Sequence, residues 1–308
     1  MSRAVRLYPF IEAEKQHSID GEPGGNVARA CELLKVSRSA YYAHTASQAA
    51  GGSRRDRDDA DLVQRIRHHH QASKGRNGAP RIHVDLRDEG HRHSRKRVAR
   101  LMREHGIIGK HRRRGWKTTV QDPNAAARPD LIGRDFSVDA ARVNTRWCGD
   151  ITYIRTWQGW LFLATVIDID SRRVVGWATA DHLRTDLVEQ ALRQAVTRRR
   201  PARSVIFHAD RGCQYTSAQL ASAATDLGVR LSHGRTGQCW DNAVGESFFA
   251  TIKNELLEDG VWPTRAAAHA AIFEYIEGWY NTRRRHSTLG YLSPAAFEAT
   301  ATAIPAVA

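Results

Sequence analysis

Three apolar segments separated by two short turns constrain the fold of this chain more than any other feature of its sequence. The segment 147–154 alternates apolar and polar residues, as a half-buried strand does. A Gln-Gly turn leads into the apolar run 161–167, and a second turn at 170–172 leads into 174–178. Strands joined by such short turns pair with their neighbours in the antiparallel sense. The sequence therefore predicts a three-stranded antiparallel meander.

Downstream of the meander, helical and strand patterns alternate. The helices are predicted at 187–196, 217–227, 242–257 and 264–280, and the strands at 205–207 and 229–231. Antiparallel strands followed by alternating helices and strands build a mixed sheet. We therefore predict an α/β fold with a five-stranded, mixed, ribonuclease-H-like sheet, preceded by helical, helix-turn-helix-like modules.

The charge of the chain indicates its class of partner. Lysine and arginine number 47 against 33 acidic residues, which gives a net charge of +14. An excess of this size favours a polyanionic partner, nucleic acid before an anionic membrane surface, over an ordinary basic enzyme. The sequence has no run of about 18 apolar residues, so the membrane alternative weakens and we expect an intracellular protein. The four cysteines contain no C-x-x-C pair, so neither a disulfide scaffold nor a zinc site is expected.

Two helical units precede the predicted sheet. Residues 1–46 have helical patterns, and a turn with a serine cap at 36–39 separates an amphipathic segment from a second helix. This is the pattern of a helix-turn-helix, although many helical hairpins share it. The stretch 45–59, rich in Gly, Ser, Ala and charge, is predicted to be a linker. The predicted divisions are a helical N-terminal region with linker at 1–59, a basic helix-turn-helix-like module at 60–120, a linker at 121–138, a core containing the mixed sheet at 139–299 and a tail at 300–308.

The second unit is strongly basic. Between Arg92 and Lys117 lie eleven lysines and arginines and one acid, Glu104. Ser94 is placed to cap a helix with apolar residues at helical spacing, and Gly106 is placed to end it. Like charges at this density repel unless a polyanion neutralises them, so DNA contact is favoured over a merely solvated face. The predicted DNA-binding residues are Arg95, Lys96, Arg97, Arg100, Arg103 and the loop residues Arg112, Arg113 and Arg114.

Three acidic residues stand where a sheet can bring them together. Asp150 lies in the first strand of the meander, Asp210 follows a short strand, and Glu246 lies early in the helix after the last strand. Carboxylate oxygens are ligands that Mg²⁺ and Mn²⁺ prefer, and two such ions stabilise both the attacking and the leaving oxygen of a phosphoryl transfer. Three acids among 33 carry little information by themselves, so the sequence around each one must decide whether they form a site.

The helix that carries Glu246 has one apolar arc. Glu246 and Lys253 lie off that arc, seven residues and therefore two turns apart on one face. A carboxylate and an ammonium at this spacing suit one metal ion and one DNA phosphate. Spacing alone, however, favours an exposed, solvated pair.

Four motifs in order resemble the integrase-type catalytic core of bacterial insertion-sequence transposases. They are WCGDITYI, FHADRGCQYTS, WDNAVGESFFATIKNELL and YNTRRRHSTLGYLSP. The sequence resembles in particular the second-reading-frame product of two-frame elements of the insertion-sequence-three kind. Thirty-five residues, 211–245, separate Asp210 from Glu246, the interval typical of that superfamily. The segment 78–114 resembles the basic helix-turn-helix-like module that precedes the core in the same proteins.

The resemblance implies roles for single residues. Asp150, Asp210 and Glu246 are expected to be the metal-binding catalytic triad, and Lys253 is expected to contact substrate DNA. Asn242 matches a motif position as well, although a helix cap explains it equally well.

Three other residues near these motifs have side chains that could bind a metal ion. Asp168 and Asp170 end the second strand of the meander, where the following turn needs them anyway, so a structural role is favoured. His208 is interpreted as a packing or supporting residue. Family members usually carry other residue types at the positions of Cys148 and Gly149. Neither residue is a carboxylate, so these differences leave the expected catalytic triad intact.

The resemblance and the charge together predict a DDE-type transposase that cuts DNA at insertion-sequence ends and joins them to target DNA. The predicted cofactor is Mg²⁺ or Mn²⁺, with two ions. Expected partners are double-stranded DNA, a first-reading-frame protein and further copies of the chain on DNA, in the bacterial cytoplasm at the nucleoid. Two alternatives stay open: a ribonuclease-H-like nuclease without strand transfer, and a catalytically inactive DNA-binding regulator of the element.

Overall fold

A computed structural model of the chain describes residues 3–16, 26–110, 130–133, 135–234, 243–257 and 260–303. Most of the predicted linker 121–138 lies outside these ranges. The predicted site residues that also lie outside the described residues are Arg112, Arg113, Arg114 and Asn242.

Five strands form one mixed sheet. The strands are β1 (Arg146–Thr156), β2 (Gly159–Asp168), β3 (Val174–Ala180), β4 (Ile206–Ala209) and β5 (Arg230–His233). Their order is β3-β2-β1-β4-β5, with antiparallel pairing among β1, β2 and β3 and parallel pairing of β4 with β1 and β5. The predicted meander and the ribonuclease-H-like mixed sheet are confirmed.

The register of β1 determines which groups can approach its middle. β1 and β2 pair along their whole length, from Trp147 opposite Asp168 to Thr156 opposite Gly159. β4 pairs only with the start of β1, at 146–148. The rest of β1 runs past the end of β4.

Helices cover the sheet and build the N-terminal part. In the described ranges the α-helices are α1 (Arg3–Gln16), α2 (Val27–Leu33), α3 (Arg38–Ala49), α4 (Arg54–Ala72), α5 (Ala79–Asp88), α6 (Arg95–Glu104), α7 (Thr185–Arg199), α8 (Cys213–Thr216), α9 (Ala218–Asp226), α10 (Ala243–Ile252), α11 (Arg265–Phe273) and α12 (Pro294–Ala303). Two π-helical segments, Lys253–Leu257 and Glu274–Tyr280, continue α10 and α11. None of the described helices is long and apolar enough to span a membrane.

Two apolar cores enclose the sheet. One lies between the sheet and α10 and α11, around Leu163 and Ile252. The other lies beneath α7, α8 and α9, around Phe207. Because successive side chains of a strand point to opposite faces, β1 contributes Cys148 to the first core and Trp147 to the second.

The N-terminal helices form two further small cores. α1, α2 and α3 pack around Ile11, and α4, α5 and α6 pack around Ile82. Ser37 and Ser94 cap α3 and α6 by accepting backbone hydrogen bonds, as their sequence contexts predict. Each predicted helical unit therefore contains helices joined by a short turn and packed around a core of its own.

One predicted non-helical segment is wrong in extent. The linker 45–59 is confined to 50–53, because α3 runs to Ala49 and Ser53 begins α4 with a reciprocal cap. The Ser53 hydroxyl accepts the Asp56 amide at 3.2 Å, and the Asp56 carboxylate accepts the Ser53 amide at 3.0 Å. The predicted tail at 300–308 is helical as far as Ala303. The domain boundaries themselves stay predictions.

Candidate active site

Asp150 lies on β1, in the part of the strand that β4 does not cover. Its side chain is half-buried, and its Oδ1 accepts a hydrogen bond from the Ile151 amide at 2.8 Å. Burial and then the negative charge of Asp210 raise the pKa of the Asp150 carboxyl to about 8, against the lowering effect of the Ile151 amide. Glu246 raises this pKa as well, whereas Lys253 lowers it. The charges of Asp210, Glu246 and Lys253 thus all act on Asp150, and the first two oppose its ionisation.

Asp210 stands directly after β4, and the parallel pairing of β4 with β1 places it on the Asp150 side of the sheet. Its Oδ1 accepts the Gly212 amide at 3.0 Å. Burial raises the pKa of Asp210, and the Gly212 hydrogen bond opposes that rise. Two neighbouring carboxyls with raised pKa values favour a proton or a metal cation between them.

One feature beside the two aspartates was missed by the sequence analysis. Gly149 lies so close to the rings of Phe207 and Tyr215 that a Cβ would stand 2.3 Å from Phe207 Cζ. Tyr215 is buried, and burial followed by the charges of Asp150 and Asp210 raises the pKa of its phenol well above 10. A glycine inside a strand pattern marks such a close approach, and that was the available signal.

Glu246 and Lys253 lie on the helical segment that packs against β1. Glu246 is in the first turn of α10, and Lys253 begins the π-helical segment that follows it. Both side chains are exposed, while the apolar arc of the helix is buried in the sheet core as predicted. The Lys253 ammonium lies 5.4 Å from the centre of the Tyr153 ring.

The acidic residues do not form a closed ligand set. Within the described ranges, no group of three Asp, Glu, His or Cys side chains is close enough to hold one metal ion. The charges of Asp210 and Glu246 both raise the pKa of Asp150. Two carboxylates suit an ion that completes its coordination with water and substrate phosphates.

Asp168, Asp170 and His208 have structural partners. Asp168 accepts two amides of the turn between β2 and β3, at 3.0 and 2.8 Å. Asp170 forms a buried ion pair with Arg146, with 2.7 Å between Nη2 and Oδ1. His208 is buried, with its Nδ1 2.9 Å from Ser232 Oγ. The interpretation of all three as structural residues agrees with these contacts.

An acid from α4 partly neutralises the basic face of α6. The two Asp59 oxygens lie 2.6 Å from Arg97 Nη2 and 2.6 Å from Arg100 Nη2. Arg97 and Arg100 thus share a counter-ion from outside the segment 92–117, and their contact with DNA stays a prediction. The exposed residues of this face that have no acidic partner in the described part of the chain are Arg95, Lys96 and Arg103.

Family models match both parts of the chain. An integrase core domain model matches residues 140–239, a second one matches 227–294, and a model of an HTH-like domain matches 56–115. The mixed sheet and these matches define a DDE-type polynucleotidyl transferase with an integrase core.

Full-length relatives give the family. The chain is 37% identical over 292 residues to transposase InsF of insertion sequence IS3A from Escherichia coli K12, which covers 94% of this chain and 98% of that protein. It is 40% identical over 239 residues to the transposase of IS904 from Lactococcus lactis, covering 78% of this chain and 92% of that protein. The chain belongs to the IS3-family insertion-sequence transposases, and its function is DNA transposition.

Solved structures resemble the core only distantly. The HTLV-2 integrase catalytic core domain in complex with magnesium aligns at a TM-score of 0.38 and 18% identity, over 51% of this chain and 97% of that one. The simian T-cell lymphotropic virus intasome aligns at a TM-score of 0.40 and 15% identity, over 72% of this chain and 70% of that one. A likeness at this level is too coarse to transfer the role of any residue.

Proposed function

We propose that this transposase cuts and joins DNA at insertion-sequence ends by in-line phosphoryl transfer, with Asp150, Asp210 and Glu246 as its catalytic carboxylates. The observation that carries the proposal is that Asp150 and Asp210 lie near each other, beside the helix that carries Glu246. Burial and then the charge of Asp210 raise the pKa of Asp150 to about 8, and the positive charge of Lys253 does not offset them. By contrast, Asp170 pairs with Arg146, and Asp168 accepts the amides of the turn that follows it.

The donor set fits a hard divalent cation. Carboxylate oxygens suit Mg²⁺ or Mn²⁺, which bind through one or two carboxylates together with substrate phosphates. When bound, two such ions neutralise charge on the transferring phosphate and on the attacking and leaving oxygens. Asp150 and Asp210 would hold the ions, and Glu246 would complete the set from α10.

The remaining residues bind and orient DNA. Lys253 would contact a phosphate beside the scissile bond, which is a positioning role for an exposed cation near the carboxylates. The module of α4, α5 and α6 would hold DNA mainly through phosphates. Its contacts would come from Arg95, Lys96 and Arg103, with Arg112, Arg113 and Arg114 as further predicted contacts. Asn242 is retained as a supporting residue.

The wider assembly follows from this chemistry. The substrates would be the terminal repeats of the element and the target duplex, bound by several copies of the chain. A first-reading-frame protein is a proposed partner. Since the substrate is chromosomal DNA, we place the protein at the nucleoid of the bacterial cytoplasm.

The proposal is tested by Asp150→Asn, Asp210→Asn and Glu246→Gln in the full chain, on labelled DNA carrying the ends of its own element. Each variant should lose cleavage and joining in Mg²⁺ and in Mn²⁺ while gel shifts show nearly unchanged DNA binding. Asp226→Asn, an exposed acid on α9, is the matched control and should keep activity. Near wild-type cleavage by any of the three variants would remove that residue from the site.

The same assay separates the alternatives. Cleaved ends with no joined product, when a DNA 3′-hydroxyl is supplied, would indicate a nuclease without strand transfer. Binding without cleavage by the wild-type chain in Mn²⁺ would indicate an inactive regulator.

A further inference from the structure

Three large aromatic side chains lie exposed at the end of the β1–β2 hairpin. Tyr153 on β1 is 56% exposed, Trp157 in the turn is 76% exposed and Trp160 on β2 is 48% exposed. Large apolar rings are normally buried, so three of them on one hairpin need an explanation. We refer to Tyr153, Trp157 and Trp160 as the hairpin aromatics.

Two of these rings contact each other. The Tyr153 and Trp160 centroids lie 5.1 Å apart with 82° between the ring planes, an edge-to-face contact. The contact fixes their orientation while about half of each side chain stays accessible. These two residues therefore present preorganised ring surface to solvent.

The hairpin itself is held in place from outside. The Trp157 amide donates to the Trp262 carbonyl at 2.9 Å. Arg265 donates its amide to the Gln158 side chain at 3.0 Å and its Nε to the Trp160 carbonyl at 3.1 Å. Bonds from the α11 end of the chain thus rigidify a turn whose side chains remain exposed.

Two cations flank the exposed rings. Lys253 lies over the Tyr153 ring at 5.4 Å. Arg155 is exposed and stands directly opposite Trp160 in the strand register. In the part of the chain that the structure describes, neither Lys253 nor Arg155 has an acidic partner within ion-pair distance. Aromatic rings next to unpaired cations match a ligand with both flat bases and phosphates.

We propose that the hairpin aromatics form a stacking platform for unpaired bases of the DNA strand that leaves the cleavage site. The inference rests on the proposed function, because it takes Asp150 as the position of the scissile phosphate. Base–aromatic stacking tolerates any sequence, since every base has a π-face. The platform would therefore hold a frayed DNA end without reading it.

The distance from the candidate site suits this role. Tyr153 follows Asp150 by three residues on β1, which is about 10 Å at about 3.3 Å per residue. Roughly three stacked nucleotides, each rising about 3.4 Å, span that length. Asp150 and Tyr153 point to opposite faces of β1. Lys253 lies over the Tyr153 ring, and its charge lowers the pKa of Asp150. Beyond residue 148, β4 leaves the edge of β1 uncovered. A strand following this edge would pass from the carboxylates to the rings.

The test measures binding without cleavage. The full-length chain in EDTA is titrated against a duplex ending in three unpaired nucleotides, one of them 2-aminopurine, and against the fully paired duplex of the same sequence. The wild-type chain should bind the unpaired end more tightly and quench the 2-aminopurine. Trp160→Leu keeps apolar volume but loses the ring, and it should weaken binding of the unpaired end roughly 5- to 100-fold. Trp160→Phe should keep most of the preference.

Phe273→Leu is the matched control, because Phe273 is a 54% exposed ring on α11 outside the hairpin. It should leave both affinities unchanged. Equal wild-type binding of the two DNAs, or a Trp160→Leu variant as good as wild type, would overturn the platform. A change in oligomeric state on Trp160→Leu, seen by sedimentation with the DNA preference intact, would also overturn it and assign the rings to a protein contact.

Failure of the proposed function gives a different result. If Asp150→Asn keeps cleavage, the placement of the catalytic site is wrong whatever the hairpin binds. If Asp150→Asn loses cleavage and the preference for unpaired ends is absent, only the platform is wrong.

Discussion

Arg284 places its Nε 3.0 and 3.1 Å from the two carboxylate oxygens of Glu255, and both side chains are buried. The phenol of Tyr275 donates to the same carboxylate at 2.9 Å. From the helical module, Arg81 approaches it at 3.5 Å, and Arg76 donates to the Glu255 carbonyl at 3.3 Å. Glu255 lies in the π-helical segment that starts at the proposed DNA-contacting lysine. Glu255 therefore joins the module of α4, α5 and α6 to the helical segment that continues α10.

Removing the cation of this pair should destabilise the protein strongly. Arg284→Ala leaves Glu255 buried without its main partner, and such a loss costs about 3–5 kcal/mol. We expect about 3 kcal/mol from urea titrations followed by tryptophan fluorescence, because Arg81 still faces the carboxylate. Arg283→Ala, an exposed neighbour, should cost no more than about 0.5 kcal/mol. Equal effects of the two substitutions would show that the pair contributes nothing to stability.

Gly149 should not tolerate a side chain. The methyl group in Gly149→Ala would overlap the Phe207 ring at 2.3 Å, and overpacking of this kind costs about 1–3 kcal/mol. The free energy of unfolding should fall by that amount, and the shift of β1 should lower cleavage as well. Gly278→Ala is the control, since its nearest atom, Glu274 Cγ, is 3.9 Å away. A Gly149→Ala variant as stable as the control would mean that β1 and β4 can move apart here and accommodate the methyl group.

Lys253 should affect DNA rather than metal requirements. Lys253→Ala should weaken binding or cleavage of element-end DNA and leave the Mn²⁺ concentration for half-maximal cleavage unchanged. Lys253→Arg should restore part of the loss, because a point-charge phosphate contact depends on charge more than on geometry. Cleavage rates measured across an Mn²⁺ series for the three proteins decide the matter. A shifted metal requirement at unchanged DNA affinity, or no effect, would assign Lys253 to solvated surface.

Arg95, Lys96 and Arg103 of α6, which have no acidic partner among the described residues, should set the salt dependence of DNA binding. Each neutralised phosphate contributes a slope of about −0.9 in log K against log salt, so losing three contacts should flatten the slope by roughly 2.7. The variant combines Arg95→Ala, Lys96→Ala and Arg103→Ala, and anisotropy with duplex DNA gives the slope. The charge-matched control combines Arg87→Ala, Arg193→Ala and Arg198→Ala, whose side chains already pair with acids. A slope change no larger than the control's would remove this face from the DNA interface.

Local patterns were enough for the elements and the family. The alternation at 147–154 marks a strand because burial on one face repeats every second residue. Ser37 and Ser94 mark helix starts because a hydroxyl satisfies free amides within three residues. The reciprocal cap of Ser53 and Asp56 was an equally local signal, but the Gly- and Ser-rich composition around it led to a linker prediction there.

Contacts between distant segments depended on the tertiary structure. Asp59 pairs with Arg97 and Arg100 from 38 and 41 residues away, which no window on the basic segment could reveal. The closeness of Gly149 to Phe207, and of Lys253 to Tyr153, likewise depends on how β4 and α10 pack against β1. The sequence by itself determined which residues form strands, helices and motifs, because those signals repeat over a few residues. Only the tertiary structure decided which charges are paired and which rings stay exposed, because pairing and burial depend on distances between segments that share no local period.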